Sequence, residues 1–145
     1  MIPPYREDGL LPAGVHWAEW GEIEERYGTT YHRRRLLEGL RAALLVLAKV
    51  GCRAVYINGS FVADVERPND FDACWDPAGV DFDSIDEVFL DLGFPRAAQK
   101  ARFGGELFPN VTEAGSGSLF LDFFQTDRDT GQAKGIVAID PRSIR

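Results

Sequence analysis

VYINGSFVADVERPNDFDACW, residues 55–75, decides how the chain is read. It opens with Val55-Tyr56-Ile57-Asn58, a short run rich in β-branched and aromatic residues that predicts a strand running into a Gly59-Ser60 turn. Residues 61–67 are ambiguous but compatible with a short helix stopped by Pro68. Asp70-Phe71-Asp72-Ala73-Cys74-Trp75 then alternates with period two and predicts a second strand. Asp is a poor strand residue, and burying its charge is costly unless it is paired or binds a metal. Residues i and i+2 of a strand face the same side about 6–7 Å apart, so the carboxylates of Asp70 and Asp72 converge while Phe71 points away. Gly59 lets a backbone approach closely, and a helix starting at Ser60 offers unpaired N–H donors and a hydroxyl, the donor set of a phosphate site.

Outward from this stretch the pattern is that of alternating helices and strands. Upstream, Thr30 is a natural N-cap for a helix over 31–50 with Leu36, Leu37, Leu40, Ala43, Leu44 and Leu47 as its buried stripe and Gly51 as its stop. Its cations Arg33, Arg34, Arg35 and Arg41 read first as a solvated face, with acceptor or phosphate binding as the sharper alternative. Trp17, Trp20, Ile23 and Tyr27 predict a shorter helix packed by its aromatic side, and residues 1–15, rich in Pro and Gly, an extended arm. Downstream, a helix is expected over 83–91, closed by Gly93. The segment 100–108, with Gly104 and Gly105, predicts a short strand with a bulge, and 110–118 a loop. Leu119–Gln125 predicts an apolar strand carrying one acid, Asp122, and Ile136–Ile139 another after a turn over 127–131. This makes an α/β (α+β) fold with a mixed sheet of about four to five strands flanked by helices, one domain over 16–145 behind the arm.

With 145 residues, 45% hydrophobic and 27% charged, the chain has the size for a single core without disulfides or metals. Its 16 Lys+Arg against 23 Asp+Glu, net −7, argue against a broad cationic face gripping nucleic acid. Cys52 and Cys74 form no CxxC pair and read as small core residues of a reducing compartment. No basic start followed by an apolar run marks a signal peptide and no apolar run spans a bilayer, so the expected location is the cytoplasm, with no membrane partner. His16 and His32 stand apart from acids and cysteines and read as structural.

If the strand of Asp122 neighbours that of Asp70 and Asp72, three hard carboxylates suit Mg²⁺ or Mn²⁺, and a two-metal site would hold its ions about 3.5–4 Å apart. Glu106 is a further acid within reach of such a site or a strand-edge residue. Arg67, Lys100, Arg102 and Lys134 are the cations placed to approach a phosphate.

Strand, Gly-Ser, nine residues, Asp-x-Asp and a later acid: in that order the residues resemble the DNA polymerase beta-like nucleotidyltransferase superfamily over about 53–125. Small bacterial members, some from toxin–antitoxin or defence loci, are similar in the stretches YINGSFV and PNDFD. The resemblance implies Gly59 and Ser60 at a nucleoside triphosphate, Asp70 and Asp72 bridging two metal ions, and Asp122 at the catalytic ion. It implies in-line attack of a protein or RNA hydroxyl on the α-phosphorus, with pyrophosphate leaving and a cognate toxin or antitoxin as a further partner. The spacer departs from the pattern in offering only Arg67 as a cation, and 23 residues after Asp122 leave no room for a helical acceptor-binding domain. Two other readings use the same residues: a non-catalytic nucleotidyltransferase-like module that binds a partner protein, and a metal-dependent phosphodiesterase for which the Gly-Ser turn is superfluous.

Overall fold

The computed structural model describes residues 1–90, 97–111, 119–127 and 129–144. Nine elements organise it: β1 (Gly14–Trp17), α1 (Trp20–Tyr27), α2 (Tyr31–Lys49), β2 (Val55–Asn58), β3 (Phe71–Trp75), α3 (Ala97–Phe103), β4 (Gly105–Pro109), α4 (Phe120–Phe124) and β5 (Gly135–Ile139). The strands form one mixed sheet in the order β1-β5-β2-β3-β4. β2 runs antiparallel to both β5 and β3, whereas the outer pairs β1/β5 and β3/β4 are parallel. The chain is therefore α+β, with a five-stranded mixed sheet flanked by helices. Among the described residues no helix is long and apolar enough to cross a membrane.

Side chains alternate across the sheet, so each strand feeds two cores. Val55, Ile57, Phe71, Ala73, Trp75, Leu107, Val137 and Ile139 pack on one face against α1, α2 and Phe103 of α3. On the other face Cys74, Phe108 and Ile136 meet Phe124, with Tyr56 and Phe120 beside them. The larger core rests on α2. Thr30 caps it by accepting from the Arg33 N–H at 3.1 Å, and Leu40, Ala43, Leu44 and Leu47 are fully buried, each leucine contributing about 1.5–3 kcal/mol by leaving water. Gly39 lets α3 lie backbone to backbone on α2, since a Cβ there would sit 1.7 Å from the Phe103 carbonyl oxygen.

Four expected elements differ. Residues 14–17 form β1 rather than arm or helix, zipped in parallel to Gly135–Ala138, and α1 starts only at Trp20. The helix expected over 83–91 is a single 3₁₀ turn, Glu87–Leu90; Asp91, Leu92 and Gly93 lie outside the described residues. The segment expected as a strand from Lys100 begins as α3, because Ala, Gln, Lys and Arg are strong helix formers; Gly104 at φ +85 stops it and β4 follows. Leu119–Gln125 holds the helix α4 in place of a strand: its apolar residues flank Asp122 on both sides and fit either period, and the i, i+4 pair Phe120 and Phe124 meets Phe108 at ring distances of 4.6 and 6.1 Å. Most of the loop expected over 110–118 lies outside the described residues.

Candidate functional site

β2 ends in a turn that glycine alone can make. Gly59 sits at φ 84, ψ −167, a backbone region essentially closed to other residues, and a Cβ there would lie 2.9 Å from Asp72 Oδ2. The Gly-Ser turn and the Asp-x-Asp strand thus meet at one point. The residues after the turn make a single 3₁₀ turn, Ser60–Val62, shorter than the helix expected there.

What holds that turn is Arg33, which departs from the solvated face expected of the α2 arginines. It is 3% exposed and spends its guanidinium on backbone carbonyls: Phe61 at 2.7 Å, Ala63 at 3.2 Å and Val65 at 2.5 Å. Five fixed N–H donors suit a cluster of carbonyls that no Lys could span. The carbonyl oxygens of the spacer are thereby turned toward α2, and the exposed Ser60 stays at the mouth of the cleft on the other face of the sheet.

Strand register sets the acids. Asn58 pairs with Asp72 across β2/β3, and Asp72 with Glu106 across β3/β4, so three polar side chains form one row on the face opposite the main helices. Asp70 stands two residues before Asp72, just outside β3. The row lines a cleft of about 1100 Å³ whose far wall is α4, with Phe120, Phe123 and Asp122, and whose rim holds Lys134. That volume accommodates a ligand of nucleotide size.

The charges in this row are unevenly matched. Lys100, on α3, places its Nζ 3.1 Å from Glu106 Oε1 and 3.6 Å from Asp70 Oδ2. Its contacts with Glu106 first, and then Asp70, raise the lysine's proton affinity. The Asp72 carboxylate has neither hydrogen bond nor ion pair to a described residue; burial first, then the charges of Asp70 and Glu106, push it up to about 6 against the opposing pull of Lys100 and Lys134. Asn58 is 7% exposed, and its Oδ1 has no hydrogen-bond partner among the described residues.

The sequence-predicted residues therefore divide. Gly59, Ser60, Asp70, Asp72, Asp122 and Lys134 line one cleft, with Lys100 on two of its acids. Asp122 reaches it from a helix on the far wall, exposed, and not from a strand beside Asp72; the neighbouring strand carries Glu106 in that place. Arg67 is elsewhere, in a second cavity of about 600 Å³ with Tyr31, His32, Arg35 and Glu66. Arg102 is also away from the cleft lining, paired with Asp86 at 2.5 Å and stacked over Phe103. Sequence reading missed Asn58, although an amide closing an apolar strand immediately before Gly-Ser was the signal for it.

For a divalent cation the donor chemistry is right: Asp70, Asp72, Glu106 and the unpartnered Asn58 oxygen are hard ligands. As the side chains stand, no three His, Cys, Asp or Glu groups among the described residues are drawn together around one point, and two of these acids point to Lys100.

A sequence-family profile covers residues 3–140, nearly the whole chain and all of this site. The chain belongs to DUF6932, a family of unknown function. No curated protein and no solved structure matches it significantly.

Proposed function

We propose that the chain is a cytoplasmic, metal-dependent nucleotidyltransferase that moves a nucleoside monophosphate from a nucleoside triphosphate to a hydroxyl of protein or RNA, within a toxin–antitoxin or defence pair. The observation that carries this reading is the contact of the Gly59 turn with Asp72, which places a backbone suited to phosphate against a row of acids. Asp70, Asp72 and Glu106 would hold Mg²⁺ or Mn²⁺, with Asp122 facing them from α4. Such ions, when bound, stabilise charge on the entering and leaving oxygens of an in-line displacement. The chain's own residues supply the rest. Gly59 brings the main chain close, Ser60 offers a hydroxyl donor, Arg33 keeps the turn in shape, and Lys134 sets a positive charge on the cleft rim. Asp72, with its raised proton affinity, is the group whose ionisation a bound cation would favour most.

Calorimetric titration with the four ribonucleoside triphosphates, with and without Mg²⁺, tests this directly. Metal-dependent binding is expected in the wild type and not in Asp72→Asn. A folded wild type that binds none of them removes the proposal. A second reading, a partner-binding module without chemistry, draws support from Lys100 seated between Asp70 and Glu106. It predicts a stable complex with a protein partner that forms equally well with Asp72→Asn.

A further inference from the structure

Lys100 is not a wandering surface lysine. The residue before it, Gln99, is fully buried and clamps α3 to β4: its Nε2 donates to the Leu107 carbonyl at 3.0 Å and its Oε1 accepts from the Leu107 N–H at 2.8 Å. A third bond ties Gln99 Nε2 to the Val88 carbonyl at 2.9 Å. The backbone of Lys100 is thereby fixed one residue from the clamp, and its ammonium lands on two of the three acids of the row. The third, Asp72, receives no such contact from a described residue, and the Asn58 amide, more than nine-tenths buried in the same row, keeps an unused oxygen beside the cleft.

We infer that Lys100 is a tethered counter-cation whose ammonium stands in for a divalent ion, and that an incoming ion displaces it to bind Asp70, Asp72, Glu106 and the Asn58 oxygen. The inference rests on the metal-dependent reading above and adds regulation to it. An ammonium and Mg²⁺ or Mn²⁺ compete for the same hard oxygens, but Lys100 on two acids, with Lys134 acting on Asp72, leaves three carboxylates incompletely neutralised, whereas a divalent ion relieves them further. Displacement is inexpensive, because an ion pair to a lysine side chain 45% exposed contributes little. Asp70 and Glu106 turn to Lys100, and no three acidic groups gather around a common point. The protein thus carries an internal competitor that keeps the site closed at low divalent concentration and opens it as concentration rises.

The test is Mn²⁺ binding to chelator-stripped full-length chain, read from the free-ion paramagnetic resonance signal, in wild type, Lys100→Met and Lys100→Gln. Removing the tethered charge is expected to tighten Mn²⁺ binding by about two- to fivefold in both variants. Asn58→Ala in the Lys100→Met background is expected to lose much of that gain. Thermal scans give a second readout: the variants should melt lower than wild type without Mn²⁺ and gain more from its addition. A folded Lys100→Met or Lys100→Gln that binds Mn²⁺ no better than wild type overturns the inference, as does the absence of binding in all three proteins. The Mn²⁺ titration contains no nucleotide, so the two readings fail separately. Tightened Mn²⁺ binding in a protein that binds no nucleoside triphosphate leaves the tethered cation standing and removes the transferase. Nucleotide binding with unchanged Mn²⁺ affinity in the variants does the reverse.

Discussion

Gly59 is the residue on which the site turns. Its φ 84, ψ −167 conformation costs other residues about 1–3 kcal/mol, and a Cβ would also press on Asp72 at 2.9 Å. Gly59→Ala is expected to lower stability by about that amount in denaturant titration and to abolish nucleotide binding; an unchanged unfolding midpoint would contradict the geometry. Asp72 makes a prediction of opposite sign. Its folded pKa of about 6 lies above the ordinary 3.8, so between these values the native state holds a proton that the unfolded chain has released. Stability from this group is complete below about pH 4 and is lost as pH rises through about 6. In chelator, Asp72→Asn should raise the melting temperature of the protein at pH 7.5 by several degrees, about 2–4 °C per kcal/mol, and add little at pH 4. Equal gains at both values would show that the Asp72 charge is not the cause.

At the scale of elements, the helix that carries Arg33 also shapes the turn that ends β2. Arg33→Met takes the guanidinium donors from the carbonyls of Phe61 and Val65 and leaves Ala63 only the Tyr5 hydroxyl at 3.4 Å, with an expected loss of about 3 kcal/mol in chemical denaturation. Arg33→Lys should recover little of it, since an ammonium cannot reproduce the planar fork; full recovery would reduce Arg33 to a simple charge. This role was hidden in the sequence, where Arg33 is one of three consecutive arginines and nothing local distinguishes the buried one. What was legible had a strong local signal: α2 from its leucine stripe and Thr30 cap, β2 and β3 from period and turn residues, β5 from its β-branched run. α4 was not legible, because an apolar run broken only by Asp122 marks neither period clearly, and the choice was made by stacking on Phe108 and by the Asn110 side chain accepting from the Leu121 N–H at 3.0 Å. Misplacing α4 misplaced Asp122, while the true neighbour of Asp72, Glu106, was set by β3/β4 pairing, a contact between distant residues that no short window reveals.

Over the whole molecule, the sheet divides the apolar interior into a large body under the three longer helices and a small one under α4, and each contains one cysteine: Cys52 in the first, Cys74 in the second. Burial pushes their thiols up to about 11 and about 12, so neither is a ready nucleophile while its surroundings stay closed. Alkylation therefore reports on opening, and it reports separately for the two sides. Among the described residues the helix on the Cys74 side has five residues, with Phe123 40% exposed, against the nineteen residues of α2 on the other side. At pH 8, mass-spectrometric labelling of Cys52→Ser should outpace that of Cys74→Ser, and a ligand seated in the cleft should slow only the former; equal rates would mean the two halves open together. The chain thus holds its own pair of chemical clocks, one timing the global unfolding of the domain and the other the breathing of the wall where a substrate would enter.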